Sequence, residues 1–574
     1  MAANKNTFSP ASTERDRRVL ALYDQLMEIE QRLIPTGLHV LGRPAESREL
    51  GDMLRMIASF ERPETGARAL TNLVAEGLKL PSYESSSLEA REEVDRIVIQ
   101  AIQDFLRNGV AAAVSSLRTM ANVSSDDSSQ VFRPLQEISE QLKVNSEMES
   151  VVAALRGEYL PSGPGADIVQ NPSILPTGRN THAINPYGIP SPVAFARGKI
   201  VAESLLERHL KEQGRYPKAL GLVLWGLDNI KTQGEGVAQA LWLLGVRPIR
   251  DSLNRVTNVE AIPLAELRRP RMDVVMTVSG IFRDLFSPTI QLLDKAVRTV
   301  AQLDEPFEMN HVRWHVMEQL QRDHCQIDDA AVRVFSNAPG SYGTNVNFMV
   351  MDSTWNEEDS LGDLFVTRKC FAYGRDGAGR VIDGREARLA MDRALARVEA
   401  TYQNIDTFEI GITDVDHYFE YLGGISRAVE KRAGGRPSIY LSDSLSQAVR
   451  IRTLEETVRL ETRAKTLNPK WFEGMLKHGF RGVAEIESHV SNTFGWSATA
   501  DAVDDWVYTE LAETFVLDSR MLERLKTLNP HSAHALVGRL LEAHGRGYWN
   551  PEPELTTRLT EIAGELEDHL EGVT

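Results

Sequence analysis

Four short apolar runs constrain this chain more than anything else in it: Ala219 to Trp225, Met272 to Val278, Ala331 to Phe335 and Ser438 to Leu441, each ending in a polar loop. A strand buried on both faces reads as a continuous apolar run, and helices between such strands imply parallel pairing in an open sheet. In sheets of this kind ligands sit outside the carboxyl ends of the strands, where the strand order reverses. The polar loops that follow the runs, 226–236, 279–284, 336–345 and 442–444, are therefore expected to line one crevice.

The flanks read as helices. From Ser12 to about Leu155 apolar residues recur at three- and four-residue intervals, as in Val19, Leu20, Leu22, Leu26, Met27, Ile29 and Leu33, and again in Val94, Ile97, Ile99, Ile102, Phe105 and Leu106. The run Ser124 to Ser129 is expected to be a polar loop between two helices. Seven prolines between Pro161 and Pro192 mark an irregular segment, linker or functional loop, before a helix over 192–213. After the last apolar run a helix is expected from near Ser446, with Ala448, Ile451, Leu454 and Val458 as its apolar stripe. The predicted fold is α/β and helix-rich: a helical domain (1–157), an irregular Pro/Gly-rich loop (158–192), an α/β domain with an open, mostly parallel sheet (193–445) and a mainly helical C-terminal region (446–574).

Charge and cysteine usage narrow the function. A formal charge of −17 over 574 residues repels phosphate backbones and anionic lipid, which favours protein partners or a small ligand over nucleic acid. Cys325 and Cys370 are the only cysteines, too few for a disulfide scaffold, so a cytoplasmic setting is expected. The N-terminus has no basic flank followed by an apolar core, and no apolar run is long enough to span a bilayer.

Several motifs could carry chemistry. There is no Gly-x-x-x-x-Gly-Lys-Ser/Thr phosphate loop, and Gly234-Glu235-Gly236 has Gln239 where a dinucleotide fingerprint needs glycine. His311 and His315 share a helix face, but Val312 replaces the glutamate of a zinc-protease helix, which leaves a zinc hydrolase a poor reading. The densest cluster is Ile412 to Gly424, with Asp414, Asp416, His417, Tyr418 and Glu420 in seven residues. It suits proton or metal handling, or else a capped helix start closed by Gly423-Gly424. Arg450 and Arg452, just after a strand end, are either a solvated face or ligands for an anion. Trp471 and Trp496 are aromatics at helical spacing, more often core than platform.

The segments 278–286 (VSGIFRDLF), 335–347 (FSNAPGSYGTNVN), 352–355 (DSTW), 413–419 (TDVDHYF), 452–461 (RTLEETVRLE) and 468–479 (NPKWFEGMLKHG) resemble, in this order, the large H subunit of magnesium chelatase. The resemblance extends through 175–180 (LPTGRN) and, more faintly, 32–42, and is shared in part by the large cobaltochelatase subunit. It covers only the C-terminal half of the H subunit, which implies that an N-terminal half is absent or a separate polypeptide. Asn185 and Ala166 depart from the family pattern, which has aspartate and the second residue of Gly-Gly-Asp there.

The resemblance implies a porphyrin-binding subunit that inserts Mg²⁺, its substrate, into protoporphyrin IX in chlorophyll or bacteriochlorophyll synthesis. ATP is then hydrolysed by separate AAA+-type I and D subunits. By family position it implies Asp414, Asp416 and Glu456 for metal delivery, with His417 as base, Asp416 beside it and His478 as a second base. It likewise implies Arg179, Arg450 and Arg452 for the propionates, and Tyr342, Trp471 or Trp496 for the macrocycle face. Metallation needs oxygen donors for a hard, hydrated cation and a base for the pyrrole protons, which those residue types provide. A non-catalytic relative that binds or carries porphyrin is the competing expectation.

Overall fold

The computed structural model describes residues 34–573, except 36, 45–46, 63–65, 84–85, 182–183, 358, 406, 408 and 444–448, together with 22, 26 and 29. Most of the helical pattern expected over 12–33 lies outside the described residues, as does the predicted helix start at Ser446.

Helices over 47–142 pack around their own apolar core, while Glu147–Leu155 buries no residue. In the longest, Leu88–Asn108, the expected stripe holds: Val94, Ile97, Ile102 and Phe105 are buried, while Ile99 faces out. The serine run departs from expectation. Ser124 caps a helix, Ser125–Leu142, by accepting from the Asp127 N–H at 3.0 Å. Asp126 and Asp127 then sit in the first turn, where the helix dipole favours negative charge.

Among the described residues the main sheet has eight strands: β1 (Ala219–Leu224), β2 (Asp273–Val278), β3 (Val334–Ser336), β4 (Phe371–Arg375), β5 (Val381–Glu386), β6 (Ala400–Ile405), β7 (Ser438–Asp443) and β8 (Arg450–Thr453). Their order is β8-β7-β6-β1-β2-β3-β4-β5. The five central strands are parallel, and β4, β5 and β8 run against their neighbours. From β1 the chain steps to β2 and β3, then returns to β1's other side as β6, so the order reverses between β1 and β6. Period-two alternation divides the core: Leu220, Leu222 and Leu224 face helices Pro192–Gln213, Glu235–Leu244 and Ser287–Ala301. Ala219 and Val223 face helices Asp359–Lys369, Gly424–Ala433 and the C-terminal helices.

Four strands depart from the sequence reading, the antiparallel edge pair β4 and β5 together with β6 and β8. β6 is completely buried yet reads Ala-Thr-Tyr-Gln-Asn-Ile; Thr401 pairs with Ser426, the Gln403 side-chain carbonyl with Trp225 and Asn404 with Asp228 and Gln239, while the Tyr402 hydroxyl and Gln403 Nε2 are left without hydrogen-bond partners. The segment 450–453 is an edge strand, β8, where a helix was expected. The helix begins only at Leu454, because Thr453 and Glu456 form a capping box that fixes its start.

Among the described residues three helices each contain a five-residue π turn, Phe419–Gly423, Thr462–Thr466 and Glu513–Leu517. Such turns are rare and frequent at functional sites. The first lies against the buried helix Phe480–Ala500, where a Cβ on Gly495 would stand 2.6 Å from the Phe419 ring, so only glycine admits the approach.

Candidate functional site

The cluster 412–424 follows the carboxyl end of β6, beside the point where the strand order reverses. A short helix, Asp416–Tyr418, runs into the first π turn and brings His417 over Glu420. His417 Nδ1 lies 2.9 Å from Glu420 Oε2 and 3.5 Å from Asp416 Oδ1. The Glu420 carboxylate is buried and also accepts from the Thr344 and Asn345 N–H groups and, at 3.0 Å, from the Thr344 hydroxyl. These donors come from the loop after β3, where Gly343 and Asn345 have φ of 65° and 63° and curl the backbone around the carboxylate. The same loop leads to Asn347, whose side-chain amide donates to Asp416 Oδ2 at 2.6 Å.

The electrostatics follow from that geometry. Burial alone would raise the Glu420 carboxyl, but the His417 contact and the Thr344 N–H outweigh it and hold it below its ordinary value. The Glu420 hydrogen bond in turn raises His417 above an ordinary imidazole, against the effect of its own partial burial. The ring is thus oriented through one nitrogen while its side chain stays 60% exposed.

Around this dyad the carboxyl ends of the strands present apolar side chains to solvent. Leu227 follows β1, Ile281 and Leu285 follow β2, and Tyr342 and Phe348 follow β3; all five are exposed. Ile281 packs so closely on the turn after β1 that a Cβ on Gly226 would lie 2.6 Å from it. Behind them the Trp225 ring packs at a tilt against Tyr421 and Tyr418, with ring centroids 4.5 and 5.8 Å apart. The result is an apolar rim over an aromatic floor beside an exposed imidazole.

Not all the residues expected at the site meet there. Asp414 is turned away from Asp416: Lys465 Nζ, on the second π turn, donates to both its oxygens at 2.5 Å, and His489 Nε2 lies 3.2 Å off. Glu456 closes the capping box and pairs with Arg208 at 2.7 Å. Among the described residues no group of three or more His, Cys, Asp or Glu side chains is arranged to hold a metal ion, so Asp414, Asp416 and Glu456 do not form a common ligand set. Trp471 and Trp496 are core residues beneath the 411–414 loop, Trp496 donating its indole N–H to the Ile412 carbonyl at 2.9 Å and Trp471 packed edge-on against His489. His478 Nε2 accepts from the Leu38 N–H at 3.0 Å. Arg452 pairs with Asp443 at 2.9 Å, Arg450 is exposed on the same edge strand, and Arg179 is exposed on the Pro/Gly-rich segment. Of the expected set, His417, Asp416 and Tyr342 lie together at the carboxyl end of the sheet.

Sequence reasoning left Glu420, Ile281, Leu285 and Phe348 out of the site. Glu420 stands in the densest polar cluster, which was its signal. Ile281 falls in the loop 279–284 expected to line the crevice, and Leu285 and Phe348 lie just past such loops; all three are exposed.

Among the described residues no helix is long and apolar enough to cross a membrane. The sequence family described as CobN/Magnesium Chelatase matches residues 2–556. The chain is 42% identical to the chloroplastic magnesium-chelatase subunit ChlH of Oryza sativa subsp. indica, over 98% of this chain and 43% of that protein. It is 45% identical to the magnesium-chelatase H subunit of Cereibacter sphaeroides, over 76% of this chain and 36% of that one. It also superposes, with a TM-score of 0.90 and 34% identity, on the catalytic subunit of cobaltochelatase from Mycobacterium tuberculosis, covering 98% of this chain and 47% of the other. The chain therefore spans less than half the length of these relatives. A match across nearly the whole chain, in sequence and in fold, places it in the CobN/magnesium chelatase family.

Proposed function

We propose that this chain is the macrocycle-binding part of an ATP-dependent chelatase that inserts Mg²⁺ into protoporphyrin IX on the way to chlorophyll or bacteriochlorophyll. The observation that carries the reading is the exposed His417, held by buried Glu420, set beside the apolar rim of Leu227, Ile281, Leu285, Tyr342 and Phe348. A flat apolar ligand on that rim buries its face against Tyr342 and the aliphatic side chains. His417, oriented by Glu420, accepts a pyrrole proton, and the resulting imidazolium is stabilised by the buried carboxylate. Asp416, fixed by Asn347, offers an oxygen to the hard metal ion as it loses water. Asp414 and Glu456, tied to Lys465 and Arg208, support the loop and the helix start that frame the crevice.

With no phosphate loop in the sequence, ATP hydrolysis falls to partners, AAA+-type I and D subunits. The portion of the longer relatives beyond the shared region is a further candidate partner, and the cytoplasm is the proposed setting. Cobalt is the second reading, favoured by the 0.90 TM-score to a cobaltochelatase catalytic subunit.

The test is reconstitution. The chain is mixed with I and D subunits, ATP, protoporphyrin IX and either Mg²⁺ or Co²⁺, with the remaining portion of an H subunit added as a separate polypeptide. Metalloporphyrin is followed by fluorescence for Mg²⁺ and absorbance for Co²⁺. Formation with Mg²⁺ supports the reading and faster formation with Co²⁺ supports the second. Saturable porphyrin binding with no metallation under any combination would identify a carrier instead.

A further inference from the structure

The rim carries a concentration of basic side chains that the dyad does not use. Arg283, Arg368 and Lys369 surround the loop 337–342 that presents Tyr342. Arg283 is buried; it pairs with Asp284 at 2.7 Å and donates to the carbonyls of Ala338 and Ser341, both at 2.8 Å. Its guanidinium lies 5.1 Å from the Tyr342 ring centroid, and its buried Nη2 has no hydrogen-bond partner. Arg368 reaches the same loop from the other side, donating to the Ser341 hydroxyl at 2.8 Å and the Tyr342 carbonyl at 3.2 Å. No carboxylate among the described residues pairs with it, and its Nε is also buried without a partner. Lys369, fully buried, donates to the Val278 carbonyl at 2.9 Å and Asn337 Oδ1 at 2.8 Å and lies 4.1 Å from the Tyr421 ring centroid.

Burial depresses the Lys369 ammonium well below its ordinary value; Glu420 opposes the shift, while Arg283 and Arg368 add to it. Three basic side chains thus share two carboxylates, Asp284 and Glu420, and Glu420 is already committed to His417. In a chain whose formal charge is −17 this local excess runs against the overall balance. Buried N–H groups without acceptors cost free energy, and in native proteins they call for a specific cause. A guanidinium answers best to a planar, bidentate oxyanion such as a carboxylate.

We propose that Arg368, backed by Arg283 and Lys369, is the anchor for a ligand carboxylate at the edge of the apolar rim. This assignment rests on the tetrapyrrole reading and deepens it: the macrocycle lies against Tyr342 while one of its acidic side chains meets Arg368. The residues sit beside the dyad, so anchoring there fixes which part of the ring reaches His417.

The experiment compares protoporphyrin IX with its dimethyl ester, which keeps the apolar ring and removes both negative charges. Each is titrated into the full chain by quenching of tryptophan fluorescence, for wild type, Arg368→Gln and Arg368→Lys. The free acid is expected to bind wild type more tightly than the ester, with an affinity that falls as salt rises. Arg368→Gln should weaken free-acid binding about tenfold, in line with a charged hydrogen bond, leave ester binding within about twofold, and be partly rescued by Arg368→Lys. Because Arg283 is buried, Arg283→Gln is read only as its ratio of free-acid to ester affinity, so a general loss of folding does not imitate the effect. Equal losses for acid and ester, or no loss for either, would overturn the anchor while leaving porphyrin binding intact. Failure of wild type to bind either ligand would overturn the tetrapyrrole reading, and the anchor with it.

Discussion

Two histidine–carboxylate pairs, one at each end of the sheet, share a contact distance and differ in everything around it. At the amino end of β2, His315 Nδ1 lies 2.9 Å from Asp273 Oδ2. Arg333 donates to both oxygens of that carboxylate, at 2.8 and 3.0 Å. All three side chains are buried, His315 at 4% exposure. At the carboxyl end, His417 Nδ1 is also 2.9 Å from a buried carboxylate, but its side chain is 60% exposed. Burial by itself raises Asp273, yet Arg333 and His315 hold it far below the usual carboxylate range. His311, stacked on His315, is pushed down to about 4 by burial and by that neighbour. A histidine on a carboxylate is a structural bolt when every group is dry and saturated, and a chemical device only when one ring nitrogen stays within reach of a ligand.

The comparison can be broken most severely by substituting the exposed histidine. His417→Ala in the reconstituted mixture should lower metallation by roughly 10²–10⁴-fold, the usual worth of a general base. Porphyrin affinity should stay within about 1 kcal/mol, because a proton acceptor acts on the transition state more than on ground-state binding. Rates equal to wild type would make His417 a capping residue like any other. At the opposite end the effect should be on stability: Arg333→Met leaves Asp273 buried beside His315 without its main cation, and should cost about 3–5 kcal/mol in urea unfolding. A cost within measurement error would show that the amino-end pair is not the bolt described.

A third pair sharpens the contrast from between these extremes. Asp414 is 18% exposed and meets both His489 and Lys465. Burial raises it, but His489 and Lys465 prevail and lower it from 3.8 to about 2. A carboxyl depressed in the folded state stabilises the protein above its unfolded pKa, and that stabilisation is lost as pH falls through the folded one. The stability gap between wild type and Asp414→Asn should therefore shrink by about 2 kcal/mol as pH falls from about 5 to about 2, seen in urea midpoints. A gap that stays constant over that range would mean that the ion pair contributes nothing.

The fold was legible wherever burial and apolarity coincide. β1 and β2 announce themselves as Leu220 to Leu224 and Val274 to Val278, and the helical stripe at Val94 to Phe105 is equally plain. β6 escaped because Thr401, Gln403 and Asn404 are buried through partners distant in sequence, a condition that no local pattern records. β8 escaped because a strand of Arg-Ile-Arg-Thr leading straight into a capped helix reads as the helix's own first turn. The cluster at 412–424 was visible as a density of polar residues, but not which of them face one another. Glu420 takes its backbone donors from Thr344 and Asn345, and Arg368 meets Tyr342 only because the loop after β3 folds back on helix Asp359–Lys369.

The π turn at Phe419–Gly423 has a consequence for how such a site can be gained or lost. It accommodates one residue more than an α-helical turn would, and a residue's rotation in a regular helix is about 100°. Removing one residue there would let Asp416–Tyr418 run on into Gly424–Ala433 as ordinary helix, leaving the downstream packing against β1 undisturbed. His417 would then swing away from Glu420 and from the crevice. The scaffold and the His417–Glu420 contact are thus separable by a single codon, and a descendant that lost that codon would keep the fold while losing the contact.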